Sequence, residues 1–364
     1  MLREEIDDLA LSLISPLGAY DDDNGHTAIP NEVAGGRARR TAARRRTACS
    51  KPPQPLKSPP RWGTVPTNRN RGTLSHGLGR CQRSCQSDRP RQESSEMKVG
   101  VVGVGNMGEA LVRGLAGAQQ GHALALYDVR AERAAQVADQ YGARACGEVA
   151  TLLESSEVVV LAVKPQHMMA LLDALRPASG ANLLWISIAA GVPLARLEAG
   201  LGSPRVVRVM PNTPALVSEA MSAFAVGAGV TAHDVADVTT LLASVGRVVQ
   251  VDEPAMDAVT GLSGSGPAYA FLMIEALADA GIREGLPAPL ALELAAQTLR
   301  GAATLALQPG AHPALLRQQV TSPAGTTAAG LAALEGGGVR AALGEAVRAA
   351  TIRSRELGGD PPRR

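Results

Sequence analysis

Residues 99–108 read Val99-Gly100-Val101-Val102-Gly103-Val104-Gly105-Asn106-Met107-Gly108. An apolar strand, Lys98 to Val104, runs into a glycine turn, and a helix pattern from Asn106 to Leu115 leaves it. The turn is a G-x-G-x-x-G in the strand-turn-helix setting that gives the pattern its meaning. Gly103 serves a tight turn, Gly105 the close approach of a pyrophosphate, and Gly108 close packing of helix on strand. The helix start offers unbonded N–H groups and a positive dipole end to phosphates. Asp128 lies twenty residues beyond Gly108, at the end of a second strand, Ala123 to Asp128. A carboxylate there suits a ribose hydroxyl pair and favours NADH. Arg130, two residues on, suits a 2′-phosphate and favours NADPH. The residues leave both cofactors open.

Further strands are expected at Val158 to Val163, Leu183 to Ile188, Arg205 to Met210, Ala223 to Val226 and Val248 to Val251. Near-continuous apolar runs of this kind belong to parallel strands buried on both faces. Alternation with helix patterns such as Glu132 to Tyr141 predicts a Rossmann-type, doubly wound parallel sheet over residues 97–257. After Asp257 the strand-like runs stop. Ala- and Leu-rich patterns at Tyr269 to Gly281, Pro289 to Leu307, His312 to Gln319, Thr326 to Leu334 and Val339 to Leu357 predict an all-α domain over 258–357, with residues 358–364 disordered. Small side chains at Ala276, Ala278 and Ala280 favour close helix contact, and a small helical domain rich in alanine is expected to interlock with a second copy as a homodimer or a ring of dimers.

Residues 1–96 are rich in Arg, Pro, Ser and Gly and carry sixteen Lys and Arg against eleven Asp and Glu; residues 97–364 carry twenty against twenty-three. The leading segment is expected to be disordered and basic, because it buries too little apolar area to offset its ordering entropy. A solvated tail or mis-assigned start, a nucleic-acid-binding arm and a targeting peptide are the readings open for it. Cys81 and Cys85 have metal-like spacing without a second ligand pair, so no metal is expected. The body is net acidic with few aromatic residues, which argues against nucleic acid as a partner. No apolar run approaches the roughly 18 residues of a membrane span. Cys146 stands alone after residue 96, which fits a reducing cytoplasm.

Beyond the fingerprint, five segments occur in order: Ala162-Val163-Lys164-Pro165; Ser187-Ile188-Ala189-Ala190-Gly191-Val192; Met210-Pro211-Asn212-Thr213-Pro214; Gly261-Leu262-Ser263-Gly264-Ser265-Gly266-Pro267-Ala268-Tyr269; and Thr321-Ser322-Pro323-Ala324-Gly325-Thr326-Thr327. Together they make residues 97 to about 357 resemble pyrroline-5-carboxylate reductase. The resemblance implies hydride transfer from NADPH or NADH to the C=N of 1-pyrroline-5-carboxylate, giving proline. It implies that Gly103, Gly105, Asn106, Met107 and Gly108 hold the cofactor, that Ala162 to Pro165 and Ile188, Ala189 and Ala190 line its nicotinamide half, and that Gln319 touches it. It places the substrate carboxylate on the loop with Ser322, Gly325 and Thr326, and the Thr327 hydroxyl at the ring nitrogen. Ala324 departs from the Gly-Gly expected in that loop. Ser263 to Pro267 is a candidate second wall.

Two other readings stand beside this one. A β-hydroxyacid dehydrogenase has a similar fingerprint, but its alcohol chemistry needs a proton acceptor such as a lysine, and the only lysines after residue 96 are Lys98 and Lys164. His312, the sole histidine of the helical half, sits in a turn suited to capping. A protein that senses a dinucleotide without turning it over is the other reading.

Overall fold

The computed structural model describes residues 96–118, 121–176 and 182–359; the expectations for residues 1–95 lie outside them. Eight strands form one sheet: β1 (Lys98–Val102), β2 (Ala123–Tyr127), β3 (Arg144–Ala145), β4 (Val158–Leu161), β5 (Leu184–Ser187), β6 (Val206–Met210), β7 (Ala220–Val226) and β8 (Gly246–Gln250). Their order is β3-β2-β1-β4-β5-β6-β7-β8. Period-2 alternation divides the apolar side chains between two cores. Val99, Val101, Val158 and Val160 point to one face; Val102, Val159, Leu161 and Trp185 point to the other.

Helices α1 (Asn106–Ala116), α2 (Ala131–Tyr141), α3 (Val149–Glu154), α4 (Pro165–Leu175), α5 (Leu194–Leu201) and α6 (Ala232–Ala243) follow the strands. The first face is covered by α1, α2 and α6 through residues such as Leu111, Val137 and Leu241. The second is covered by α3, α4 and α5 through Leu152, Leu172 and Leu197. The doubly wound expectation therefore holds for six parallel strands, with one refinement: β7 pairs antiparallel with β6, and β8 runs parallel to β7. Apolar alternation is blind to strand direction, and the short link through residues 211–219 permits the reversal.

From residue 256 the elements are helical: α7 (Met256–Val259), a π turn (Thr260–Gly264), α8 (Gly266–Arg283), α9 (Ala288–Ala306), α10 (Pro313–Gln319), α11 (Thr326–Gly336) and α12 (Val339–Gly358). The 257/258 boundary falls inside α7. Gly358, placed by sequence in the disordered end, is instead the last residue of α12, which stops at Gly359 in a left-handed cap; the expectation for residues 360–364 lies outside the described residues. Ala278 on α8 is buried against Ala291 and Ala295 of α9, the close approach that short side chains allow. Much of the remaining apolar surface stays open, including Phe271, Leu272, Leu292 and Leu307. Among the described residues no helix is long and apolar enough to cross a membrane.

One buried charge secures the lower edge of the sheet. Asp234 is fully buried. Its carboxylate accepts from Arg205 Nε at 3.1 Å and Arg205 Nη2 at 2.5 Å, while a reciprocal capping box with Thr231 closes the start of α6. The Arg205 hydrogen bond, opposed by burial and helped by Thr231, pulls the Asp234 carboxyl down to about 2 from 3.8. A depressed folded-state value contributes stability that is present above pH 4 and is lost as pH falls towards 2. We expect Asp234→Asn to lose about 2 kcal/mol at neutral pH, and to lose less than the native protein in urea melts between pH 4 and pH 2. Parallel acid profiles for the two proteins would contradict this.

Candidate active site

The sheet order reverses between β1 and β4, and open α/β sheets bind ligands in the crevice at that point, outside the carboxyl ends of the strands. The fingerprint turn fills one lip. Gly103 N–H donates to the Tyr127 carbonyl at 2.7 Å, extending the β1–β2 ladder by one step. Gly103 has φ +93°, and a Cβ there would sit 2.9 Å from the Ala162 carbonyl oxygen. A Cβ on Gly108 would overlap the Gly103 carbonyl outright. These two glycines are thus required by backbone packing. At Gly105 the opposite holds: its Cβ position meets nothing within 4 Å. Gly105 is the N-cap of α1 and no side chain closes that helix end, so the first N–H groups, at Asn106 and Met107, face open space.

The Val104 peptide is gripped on both sides. Its N–H donates to Asp128 Oδ2 at 2.9 Å, and its carbonyl accepts from Arg133 Nε at 3.2 Å. Arg133 is itself ion-paired with Glu109 of α1. The other Asp128 oxygen accepts from the Arg130 N–H at 3.0 Å, and the Arg130 guanidinium lies 3.6 Å away. Asp128 thus holds the fingerprint loop, with its side chain only 9% exposed, whereas the Arg130 side chain, though ion-paired with Asp128, is 67% exposed. This balance differs from the even choice left by sequence: the carboxylate is held inward and the cation faces outward.

A cleft of about 530 Å³ opens here. It is lined by Gly103, Gly105, Asp128, Arg130, Ala162, Val163 and Lys164 from the expected set, and by Tyr127, Val129, His167, Ala170, Leu171 and Ala174 besides. None of these six was in the expected set, and the last four share one helix. Their spacing is i, i+3, i+4, i+7, one face of α4, and that periodicity was available in the sequence. Pro165 is the first residue of α4, and Lys164 its N-cap. Ile188 N–H donates to the Leu161 carbonyl at 3.1 Å, which puts Ile188 to Ala190 beside Ala162 on the next strand end; these three residues do not line the cleft itself.

Gln319 ends α10, and Thr326 opens α11. None of residues 319–327 lines the cleft. The N-cap of α11 is Gly325, without a side-chain hydrogen bond. Thr327 is thus not the capping threonine, and its hydroxyl makes no hydrogen bond among the described residues. A Cβ on Gly325 would collide with Ser322 Oγ. Ala324 has φ +55°, so an alanine holds the left-handed geometry that a glycine supplies without cost. Asn212 Nδ2 donates to the Ser263 carbonyl at 3.3 Å and Asn212 Oδ1 accepts from Met221 N–H at 2.9 Å, joining two of the quoted segments through a π turn, a form frequent at functional sites. His312 caps α10 by accepting from Ala314 N–H at 3.2 Å. Among the described residues no group of three His, Cys, Asp or Glu is placed to hold a metal.

Comparison with known proteins adds to this geometry. Residues 253–357 match the family model described as pyrroline-5-carboxylate reductase dimerisation, and residues 98–191 match that described as NADP oxidoreductase coenzyme F420-dependent. A pyrroline-5-carboxylate reductase of Arabidopsis thaliana is 44% identical over 266 residues, covering 72% of this chain and 96% of the relative. The chain belongs to the pyrroline-5-carboxylate reductase family. Two solved members are similar in structure. That from Coxiella burnetii has a TM-score of 0.69 at 32% identity, covering 72% of this chain and 99% of the other. That from Plasmodium falciparum, solved with NADP bound, has a TM-score of 0.64 at 31% identity and covers 72% and 98%. The family's helical module is a dimerisation domain by its description, which fits the open apolar surface of α8 and α9.

Two outcomes test the local geometry. Asp128→Ala removes the grip on Val104 and is expected to weaken NADPH and NADH by a similar factor, about tenfold, in a titration; loss confined to NADH would return Asp128 to a ribose role. Ala324→Gly relieves a left-handed alanine at the cost of a more flexible unfolded chain, and a net gain of about 0.5 kcal/mol is expected in urea melts at fixed protein concentration. A loss would show that the loop carries no strain at Ala324.

Proposed function

We propose that this chain reduces the C=N bond of 1-pyrroline-5-carboxylate to proline with NADPH. The observation that carries the reading is a cradle built for a dinucleotide, open above Gly105 and bordered by an outward-facing Arg130, in a chain that spans nearly the whole length of its reductase relatives. The space where a Gly105 Cβ would stand, and the uncapped start of α1, fit a pyrophosphate. Gly103, Gly105, Asn106 and Met107 would hold it through backbone N–H groups, with Gly108 setting the helix close behind. Arg130 supplies a cation for a 2′-phosphate. Ala162, Val163, Lys164 and Pro165, with Ile188, Ala189 and Ala190, form the wall of the nicotinamide half, and Gln319 contacts the cofactor. When bound, reduced nicotinamide supplies a hydride.

A ring nitrogen that already carries a proton makes its carbon a strong electrophile, so the chain's task is chiefly one of placement. Ser322 and Thr326 present N–H groups beside the start of α11 to the substrate carboxylate, and Gly325, whose own N–H donates to the Ser322 carbonyl at 3.1 Å, shapes the loop that brings them together. The unbonded Thr327 hydroxyl orients the ring nitrogen and relays its proton. The helical part holds no lysine to accept a proton from an alcohol, which favours imine over alcohol chemistry. A second copy of the chain covers the open faces of α8 and α9, giving a dimer and, from dimers, a ring. The single cysteine among the described residues fits residence in the cytoplasm.

Loss of reduced-nicotinamide absorbance by the full chain, with and without 1-pyrroline-5-carboxylate, tests the reading. Substrate-dependent oxidation is expected, faster with NADPH than with NADH, and Thr327→Ala is expected to lower kcat about a hundredfold with little change in cofactor affinity. A folded protein that binds NADPH but turns over no substrate would overturn the enzyme reading in favour of a dinucleotide sensor.

A further inference from the structure

A charged cluster outside the cleft is unexplained by the reading above. Arg208 sits in β6 between Val207 and Val209 and is 5% exposed. Its Nη1 is 2.7 Å from Glu253 Oε1 and its Nη2 is 3.7 Å from Asp257 Oδ1. Glu253 Oε1 also accepts from the Leu194 N–H at 3.1 Å, the first residue of α5. Asp257 Oδ1 accepts from Ser354 Oγ of α12 at 2.7 Å, and Asp257 Oδ2 lies 3.9 Å from Arg355 Nε. Two cations and two carboxylates thus tie one central strand to the start of α5 and the end of α12.

These two points bracket one loop. Residues 188–193 begin at the Ile188–Leu161 hydrogen bond and end at Leu194. In the middle, a Cβ on Gly191 would stand 3.0 Å from Leu357 Cβ, and a Cβ on Gly358 would stand 3.2 Å from the Gly191 carbonyl, so α12 lies directly on the loop backbone. Burying an arginine in a row of valines is more costly than burying another valine, and packing alone would be served by an apolar residue. What the ionic arrangement adds is direction: it fixes where the loop and the helix sit relative to the sheet.

We propose that Arg208, Glu253 and Asp257 are positioning residues for hydride transfer. They act through the backbone of residues 188–193 and hold the last helix and the nicotinamide wall as one piece. This rests on the reading that Ile188 to Ala190 flank the nicotinamide. The cluster touches no reactant, and the adenosine half of the cofactor, seated at Arg130 and α4, lies outside its reach.

Glu253→Gln keeps the shape and the Leu194 acceptor but removes the charge opposite Arg208; Asp257→Asn keeps an acceptor for Ser354 and serves if the first variant folds poorly. Amide hydrogen exchange in the ligand-free full chain is expected to rise at least tenfold in residues 188–194 and to stay unchanged across α1. NADPH affinity is expected to fall about tenfold while affinity for adenosine 2′,5′-bisphosphate, which lacks the nicotinamide half, stays as in the native chain. The kcat for 1-pyrroline-5-carboxylate falls with them. Unchanged exchange and unchanged NADPH affinity would overturn the proposal, and so would equal weakening of both ligands, which marks general loosening. A native chain that binds neither ligand refutes the functional reading instead, and the exchange measurement still decides whether the cluster holds the loop.

Discussion

The structure depends on three stretches of backbone meeting with no side chain between them. Gly103 lies against the Ala162 carbonyl, and Gly108 lies against Gly103. Any Cβ at either glycine would push α1 off β1 or β1 off the β4 loop, and the crevice at the sheet's reversal point would lose its shape. Because α1 is set so close, its first N–H groups point over the strand ends rather than into solvent at large. The apolar sheet beneath, buried on both faces, supplies the rigidity that keeps this contact from breathing.

Charge is then used to hold loops rather than to make general stability. Asp128 and Arg133 take the two ends of the Val104 peptide. Arg113 donates to the Ala215 carbonyl at 3.2 Å and also to that of Leu216, securing the turn that leads into β7. Arg208 and its carboxylates do the same for the loop after β5. Each arginine sits on a regular element and reaches a backbone group or a carboxylate on a loop, so the loops at the carboxyl edge inherit the order of the sheet.

What could be read in advance followed from how local each constraint is. The fingerprint glycines and the buried strands are dictated by sterics within ten residues, and the structure has them where the sequence placed them. The helices from α8 onward were equally plain, since alanine and leucine at helical spacing admit little else, while α7 and the π turn before them were not read. The reversal at β7 was hidden because alternating burial has no direction. The inward commitment of Asp128 was hidden too: its partner Val104 is twenty-four residues away, and only the folded turn makes the carboxylate an internal acceptor. Arg133, Arg208 and Glu253 carried no local signal, as each acts across distant segments. Ala324 was legible as a departure from the glycine pattern; that its backbone keeps the left-handed shape was not.

The central claim is that the open space over Gly105 is where the cofactor's pyrophosphate lies. Gly105→Val tests it most directly, because φ −67° and ψ −174° suit any residue and the added side chain meets no atom of the protein at its Cβ. Thermal unfolding and NADPH titration of this variant should separate: a melting temperature close to that of the native chain, with affinity for NADPH reduced a hundredfold or more. Native affinity in a folded Gly105→Val protein would contradict the account, since the cofactor would then have to lie elsewhere.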